Sequence, residues 1–212
     1  MLTYCYGKFR QVNMSLIIVG SSHVCRMEEG IANGQIYSGG KLEDFPAVTW
    51  LGKSGLRVGE LVDRSTGFAS VVYAQVAREM PDVVCLMLGG NDIDNMGRQD
   101  VGDVYENFKK VVTWIRAVGP AVLIVPLWHR QYPRTTKCSF RMRYPGSCKY
   151  AEHYEQLNFK LYELGVPGQV RVSPFVRVTN SDLRDCVHLV PSANKKVVHS
   201  IRRGFRLLTL GQ

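Results

Sequence analysis

Five short apolar runs recur along the chain: SLIIVG (15–20), AVTWLG (47–52), DVVCLMLGG (82–90), AVLIVPLW (121–128) and QVRVSP (169–174). The first, third and fourth are continuously apolar, the pattern of parallel strands covered on both faces. Between the runs, apolar residues fall at helical spacing. Over 103–118, Val104, Phe108, Val111, Val112, Ile115 and Val118 form one stripe. Gly119 and Pro120 then stop the helix. Further helices are predicted over 24–31, 69–79, 150–164 and 192–208, the last with Pro191 near its first turn. Strands alternating with helices predict an α/β domain, a five-stranded parallel sheet between helix layers.

Length and composition sharpen this picture. The 212 residues fit one domain with a proper core, expected over 1–212, with 1–14 as a poorly ordered N-terminal extension. No run approaches the roughly 20 apolar residues of a membrane span. The N-terminus lacks the apolar stretch of a secretory signal, so the expected location is intracellular, in the cytoplasm. Cys5, Cys25, Cys85, Cys138, Cys148 and Cys186 are widely spread without a CxxC pair. Cys25, Cys85 and Cys186 read as buried thiols, and no metal site is expected.

A net charge of +9 favours anionic partners without bearing on the fold. The stretch 129–150 reads as a basic loop insertion. It holds Arg130, Arg134, Lys137, Arg141, Arg143 and Lys149 without one acid, with Tyr132, Phe140, Tyr144 and Tyr150 interleaved. Such a run is ordinarily a solvated surface. It also suits an anionic head group or a nucleic-acid backbone, with aromatics for stacking, across 130–149.

In open α/β sheets ligands bind beyond the carboxyl ends of the strands. There the chain places Gly20-Ser21-Ser22-His23, then Gly52 and Gly55, then Gly89-Gly90-Asn91-Asp92, then Trp128-His129, then Asp185 and His188. Ser22, where a strand passes into a helix, is either a helix cap or a nucleophile. Asp185 and His188, three apart, are spaced to meet on one side of a helical turn. Gly55 and Gly89 are either turn glycines or oxyanion donors. Asn91 is either an Asx turn or a further oxyanion donor, and Asp92 is expected to have a structural role, capping or bonding to neighbouring loops.

Four blocks in this order resemble the SGNH hydrolases, the GDSL-type esterases and lipases: VGSSHV, GKSGLRV, LGGND and DCVHLVP. They span Gly20 to Pro191. The resemblance implies a three-layer α/β/α sandwich of flavodoxin-like type and ester hydrolysis without metal or organic cofactor. It puts Ser22 at the nucleophile position. Gly55 and Asn91 join the Ser22 N–H in the oxyanion hole, with Asp185 and His188 completing the triad. The implied substrates are small-molecule, carbohydrate or lipid esters, including acetyl and short acyl esters. Two positions depart from the family pattern. Ser21 replaces the usual Asp before the nucleophile, which leaves Ser21 and Ser22 in competition. His23 stands where Leu is usual. His23 and His129 are candidate substrate-binding residues.

Other motifs are discounted. NDIDN lacks the glycine and distal Glu of an EF-hand, and GQIYSGGKL is out of register with a P-loop. The G-x-S-x-G elbow is absent. A second reading keeps the same fold as a binding module for nucleic acid or anionic lipid with little turnover. It is similar to the esterase domains that some retrotransposons encode beside nucleic-acid-binding segments. In that reading the basic loop acts together with Lys195, Lys196, Arg202, Arg203 and Arg206 near the C-terminus.

Overall fold

The computed structural model describes residues 14–36, 47–94, 100–128, 148–184 and 187–209. Its strands are β1 (Ser15–Gly20), β2 (Ala47–Gly52), β3 (Val83–Met87), β4 (Ala121–Ile124) and β5 (Val170–Val172). Its helices are α1 (Ser22–Ala32), α2 (Gly67–Glu79), α3 (Gly90–Asp94), α4 (Val101–Val118), α5 (Cys148–Glu163) and α6 (Pro191–Thr209). All strand pairs are parallel, in the order β2-β1-β3-β4-β5. This is the five-stranded α/β sheet of the flavodoxin-like type. The extension 1–13 and most of the basic loop, 129–147, lie outside the described residues.

The continuous apolar runs have a direct cause. Alternate residues of each strand feed opposite cores. Ile17, Val19, Val84, Leu86, Val122 and Ile124 meet α2, α4 and α5 on one side. Leu16, Ile18, Val83, Cys85, Leu123 and Val125 meet α1 and α6 on the other. No strand residue in the middle of the sheet faces water, so no polar alternation survives.

Strands β1 and β2 match their predicted bounds, whereas β3, β4 and β5 are shorter. Leu88, Leu127 and Trp128 are buried beyond the strand ends, while Val125 just past β4 still donates to the Leu86 carbonyl of β3 at 2.9 Å, so burial extends past the ladder. Asn158 on α5 supplies what the sheet does not: its amide bonds the Leu127 N–H and C=O, each at 2.7 Å. Helix α4 begins two residues earlier than predicted because Asp100 caps it, accepting from the Asp103 N–H at 2.9 Å. Gly119 (φ 124°) ends it, and Pro191 opens α6 as its first residue. The short α3 has too few residues to show a period in sequence.

Candidate active site

The strand order reverses between β1 and β3. Chain leaving β1 turns toward β2, while β3, β4 and β5 build outward in the other direction. The crevice at such a switch point is where doubly wound folds bind ligands. Ser21 and Ser22 follow β1 there. The loop after β2, with Gly55, and the turn after β3, with Asn91, flank them on either side.

The two serines take different positions. Ser21 is the N-cap of α1, in extended backbone and buried, and its side chain makes no capping bond. Ser22 is the first helical residue, and its Oγ lies 3.1 Å from His188 Nε2. The cap reading therefore falls on Ser21, and the helix starts at Ser22 rather than Val24. Gly20 and Gly52 make the placement sterically feasible. A Cβ on Gly20 would sit 2.4 Å from Val24 Cγ2 and 2.7 Å from the Met87 carbonyl oxygen. A Cβ on Gly52 would sit 2.4 Å from Cys25 Sγ. The first turn of α1 thus lies directly on the ends of β1 and β2.

His188 is delivered by a short bridged loop. Leu183 and Leu189 form an antiparallel bridge, and the Arg184 N–H donates to the His188 carbonyl at 2.7 Å. The helical turn expected for 185–188 falls in part outside the described residues. Asp185 and Cys186 themselves lie outside the described residues, as does His129. Asp182 anchors the base of the loop. Its carboxylate accepts from Lys196 Nζ at 2.8 Å and from the Thr179 N–H at 2.8 Å. The Lys196 ammonium holds the Asp182 carboxyl below its ordinary range, seconded by the Thr179 N–H. The loop bearing His188 is thereby fastened to α6.

Gly55 has φ 75°, the left-handed region that favours glycine, and no atom lies within 4 Å of where its Cβ would be. Asn91 Nδ2 donates to the Leu56 carbonyl at 3.0 Å, coupling Asn91 to the loop that carries Gly55. Asp92 braces the same loop from below. It is buried and accepts from the Val58 N–H at 3.1 and 3.2 Å. Burial pushes its carboxyl up to about 6, against the lowering effect of the Val58 bond.

The sign of the resulting pH effect follows from linkage. Between the ordinary carboxylate range and about 6, the folded protein holds more protons at Asp92 than the unfolded chain. Stability from this group therefore falls as pH rises through that window. We expect Asp92→Asn to gain about 1–3 kcal/mol relative to wild type on going from pH 4 to pH 7. Paired denaturant titrations at the two pH values measure this. A difference between the two proteins that does not change with pH would refute it.

His23 is buried at the heart of the site. Its ring meets Trp128 edge-on at 5.0 Å between centroids and lies 5.4 Å from the His188 ring. His23 and Trp128, together with Ser21, Gly90, Leu127 and Tyr154, line a pocket beside the ends of β3 and β4, next to the Ser22–His188 contact rather than enclosing it. Tyr154 escaped the sequence reading. Its hydroxyl donates to Asp94 at 2.9 Å, tying α5 to α3. Its only signal in sequence is the i, i+4 relation to Asn158 on one face of a predicted helix. Among the described residues, no three His, Cys, Asp or Glu side chains come together as a metal site. No described helix is long and apolar enough to cross a membrane.

The fold and the rim of polar residues define a class before any particular relative is considered: a doubly wound α/β protein with a serine and a histidine in contact at its switch point. Solved structures narrow the class. The chain is similar to a carbohydrate esterase family 3 protein from Talaromyces cellulolyticus (16% identity, TM-score 0.59, covering 93% of this chain and 97% of that one). It is similar to a GDSL-like lipase from Bacteroides thetaiotaomicron (12% identity, TM-score 0.63, 90% and 86%). It is also similar to the psychrotrophic esterase EstA from a Pseudoalteromonas species (11% identity, TM-score 0.59, 93% and 99%). Its structural neighbours are thus SGNH/GDSL esterases and lipases, matched over nearly the whole chain, and it has their fold. No family model and no curated protein matches the sequence.

Proposed function

We propose that this protein is a serine esterase that hydrolyses carboxylic esters with acetyl, short acyl or lipid acyl groups. The observation that carries the reading is the contact between Ser22 Oγ and His188 Nε2 at 3.1 Å. A serine hydroxyl becomes a competent nucleophile when a base at hydrogen-bond distance takes its proton. Ser22 attacks the ester carbonyl while His188 accepts the proton. The oxyanion is received by the N–H groups of Ser22 and Gly55 and by the Asn91 amide. Collapse of the intermediate releases the alcohol, protonated by His188, and water then hydrolyses the acyl-enzyme. Asp185 holds the imidazole in the tautomer that presents Nε2 as acceptor. His23 forms the substrate-side wall.

The position of Ser22 at the first turn of α1 supports the oxyanion role. Backbone N–H groups there have no partner within the helix, and the helix dipole favours negative charge. A fluorophosphonate probe tests the assignment, since it forms a covalent adduct on an activated serine. The adduct is expected on Ser22, located by peptide mass spectrometry, and is expected to disappear in Ser22→Ala. Labelling that persists in Ser22→Ala and vanishes in Ser21→Ala would reverse the roles of the two serines.

A further inference from the structure

The positive charge of the described residues is unevenly distributed. Helix α6 carries five Lys and Arg residues and no Asp or Glu over its 19 residues. Each of the other α-helices carries at least one acid, and α4 and α5 mix both signs. The inner face of α6 is apolar: Val197, Ile201 and Phe205 seat it on the sheet. Its cations are consequently displayed on the opposite face. Lys195, Arg203 and Arg206 are exposed and Arg202 half-buried. Lys195 to Arg206 spans about 17 Å at the rise of an α-helix.

The segment after β5 runs beside this helix. Ser200 on α6 donates to the Pro174 carbonyl, and Val176 and Val178 are buried in the same core as Val197. Alternation turns the intervening side chains outward, so Phe175 is 51% exposed and Arg177 is exposed as well. Phe175 follows directly on Pro174, so an exposed aromatic ring stands on the segment that α6 holds through Ser200.

We propose that the outer face of α6, with Phe175 and Arg177 at its side, binds single-stranded nucleic acid. The cations follow the phosphates and Phe175 stacks on a base. Arginine suits this task because its planar fork matches phosphate oxygens, and aromatic stacking accepts every base. A membrane surface fits less well. Helices that bind bilayers insert apolar residues, and the outer face of α6 shows no large exposed apolar side chain among the described residues. This surface does not depend on the esterase reading.

The test is fluorescence anisotropy of a labelled single-stranded RNA with the full chain over a series of salt concentrations. Lys195→Gln, Arg203→Gln and Arg206→Gln combined are expected to weaken binding at least tenfold at low salt. They should lower the log–log salt slope by about 2, the loss of three phosphate contacts on a single strand. Phe175→Ala is expected to weaken binding roughly fivefold or more with the slope unchanged. These side chains are exposed, so melting curves matching wild type are expected for both variants. Wild type that fails to bind at low salt overturns the proposal, as does a triple variant with the wild-type slope. Phosphatidylserine vesicles binding where the RNA does not would assign the face to lipid instead. A Phe175→Ala protein that binds as tightly as wild type overturns the stacking role.

Discussion

Ser22→Ala is expected to lower kcat/KM for a short-chain nitrophenyl ester by about 10⁴-fold or more, since a serine nucleophile and its histidine act as a unit. The stability of the variant should barely move. The Ser22 side chain is only part-buried and meets His188 across the rim, and α1 does not depend on that hydroxyl for a cap because Ser21 occupies the cap position. A net hydrogen bond of this kind contributes about 1 kcal/mol. The combination separates chemistry from folding: activity lost, melting curve kept. Initial rates on purified wild type and variant, with thermal melts alongside, decide it. Residual activity within tenfold of wild type would remove Ser22 from the nucleophile position.

Gly20→Ala is expected to damage stability and activity together, for a different reason. The added methyl meets Val24 Cγ2 at 2.4 Å and the Met87 carbonyl oxygen at 2.7 Å. Valine can shift. The Met87 oxygen belongs to the backbone of the paired strand, where Gly20 is in register with Met87. Relief therefore requires the end of β1 to move away from β3, and with it Ser22, only two residues beyond. Overpacking of this type costs about 1–3 kcal/mol. A displacement of about 1 Å at a reacting group can cost about a hundredfold in rate. Denaturant titration and the same ester assay read both effects. A Gly20→Ala protein with wild-type stability and turnover would show that Met87 and α1 do not close on Gly20 as tightly as the distances indicate.

Much of the fold was legible before the structure. Five runs of apolar residues and five helical patterns correspond to five strands and five of the six helices. The errors have a common origin, because an apolar run reports burial and burial does not require a ladder. Val125, Leu127 and Trp128 continue the fourth run past β4, where Asn158 replaces the sheet as hydrogen-bond partner for Leu127. Helix α3 was missed because five residues show no period, yet it carries Asn91 and Asp92.

The site divides in the same way. Local sequence sufficed to mark the polar rim, since glycines, serines and an Asn after apolar runs stand out against strand composition. Local sequence could not choose between Ser21 and Ser22. That choice depends on His188, 166 residues away, and on the helix phase that turns one hydroxyl toward it and buries the other. Nor could it assign Gly20 and Gly52 a role beyond a turn; the distances that exclude a side chain arise only when α1 is laid across both strand ends.

The sequence by itself determined the alternation of strands and helices, the two-sided burial of the sheet and the chemistry available at its rim. These follow from periodicity and residue type, which act over a few residues. Tertiary structure alone decided which serine meets the histidine, that Asn91 is fastened to the Gly55 loop through Leu56, and that the segment bearing Phe175 is bonded to α6 through Ser200. Each of those is a contact or a facing between segments far apart in the chain, fixed by how helices seat on the sheet, and no local pattern encodes it.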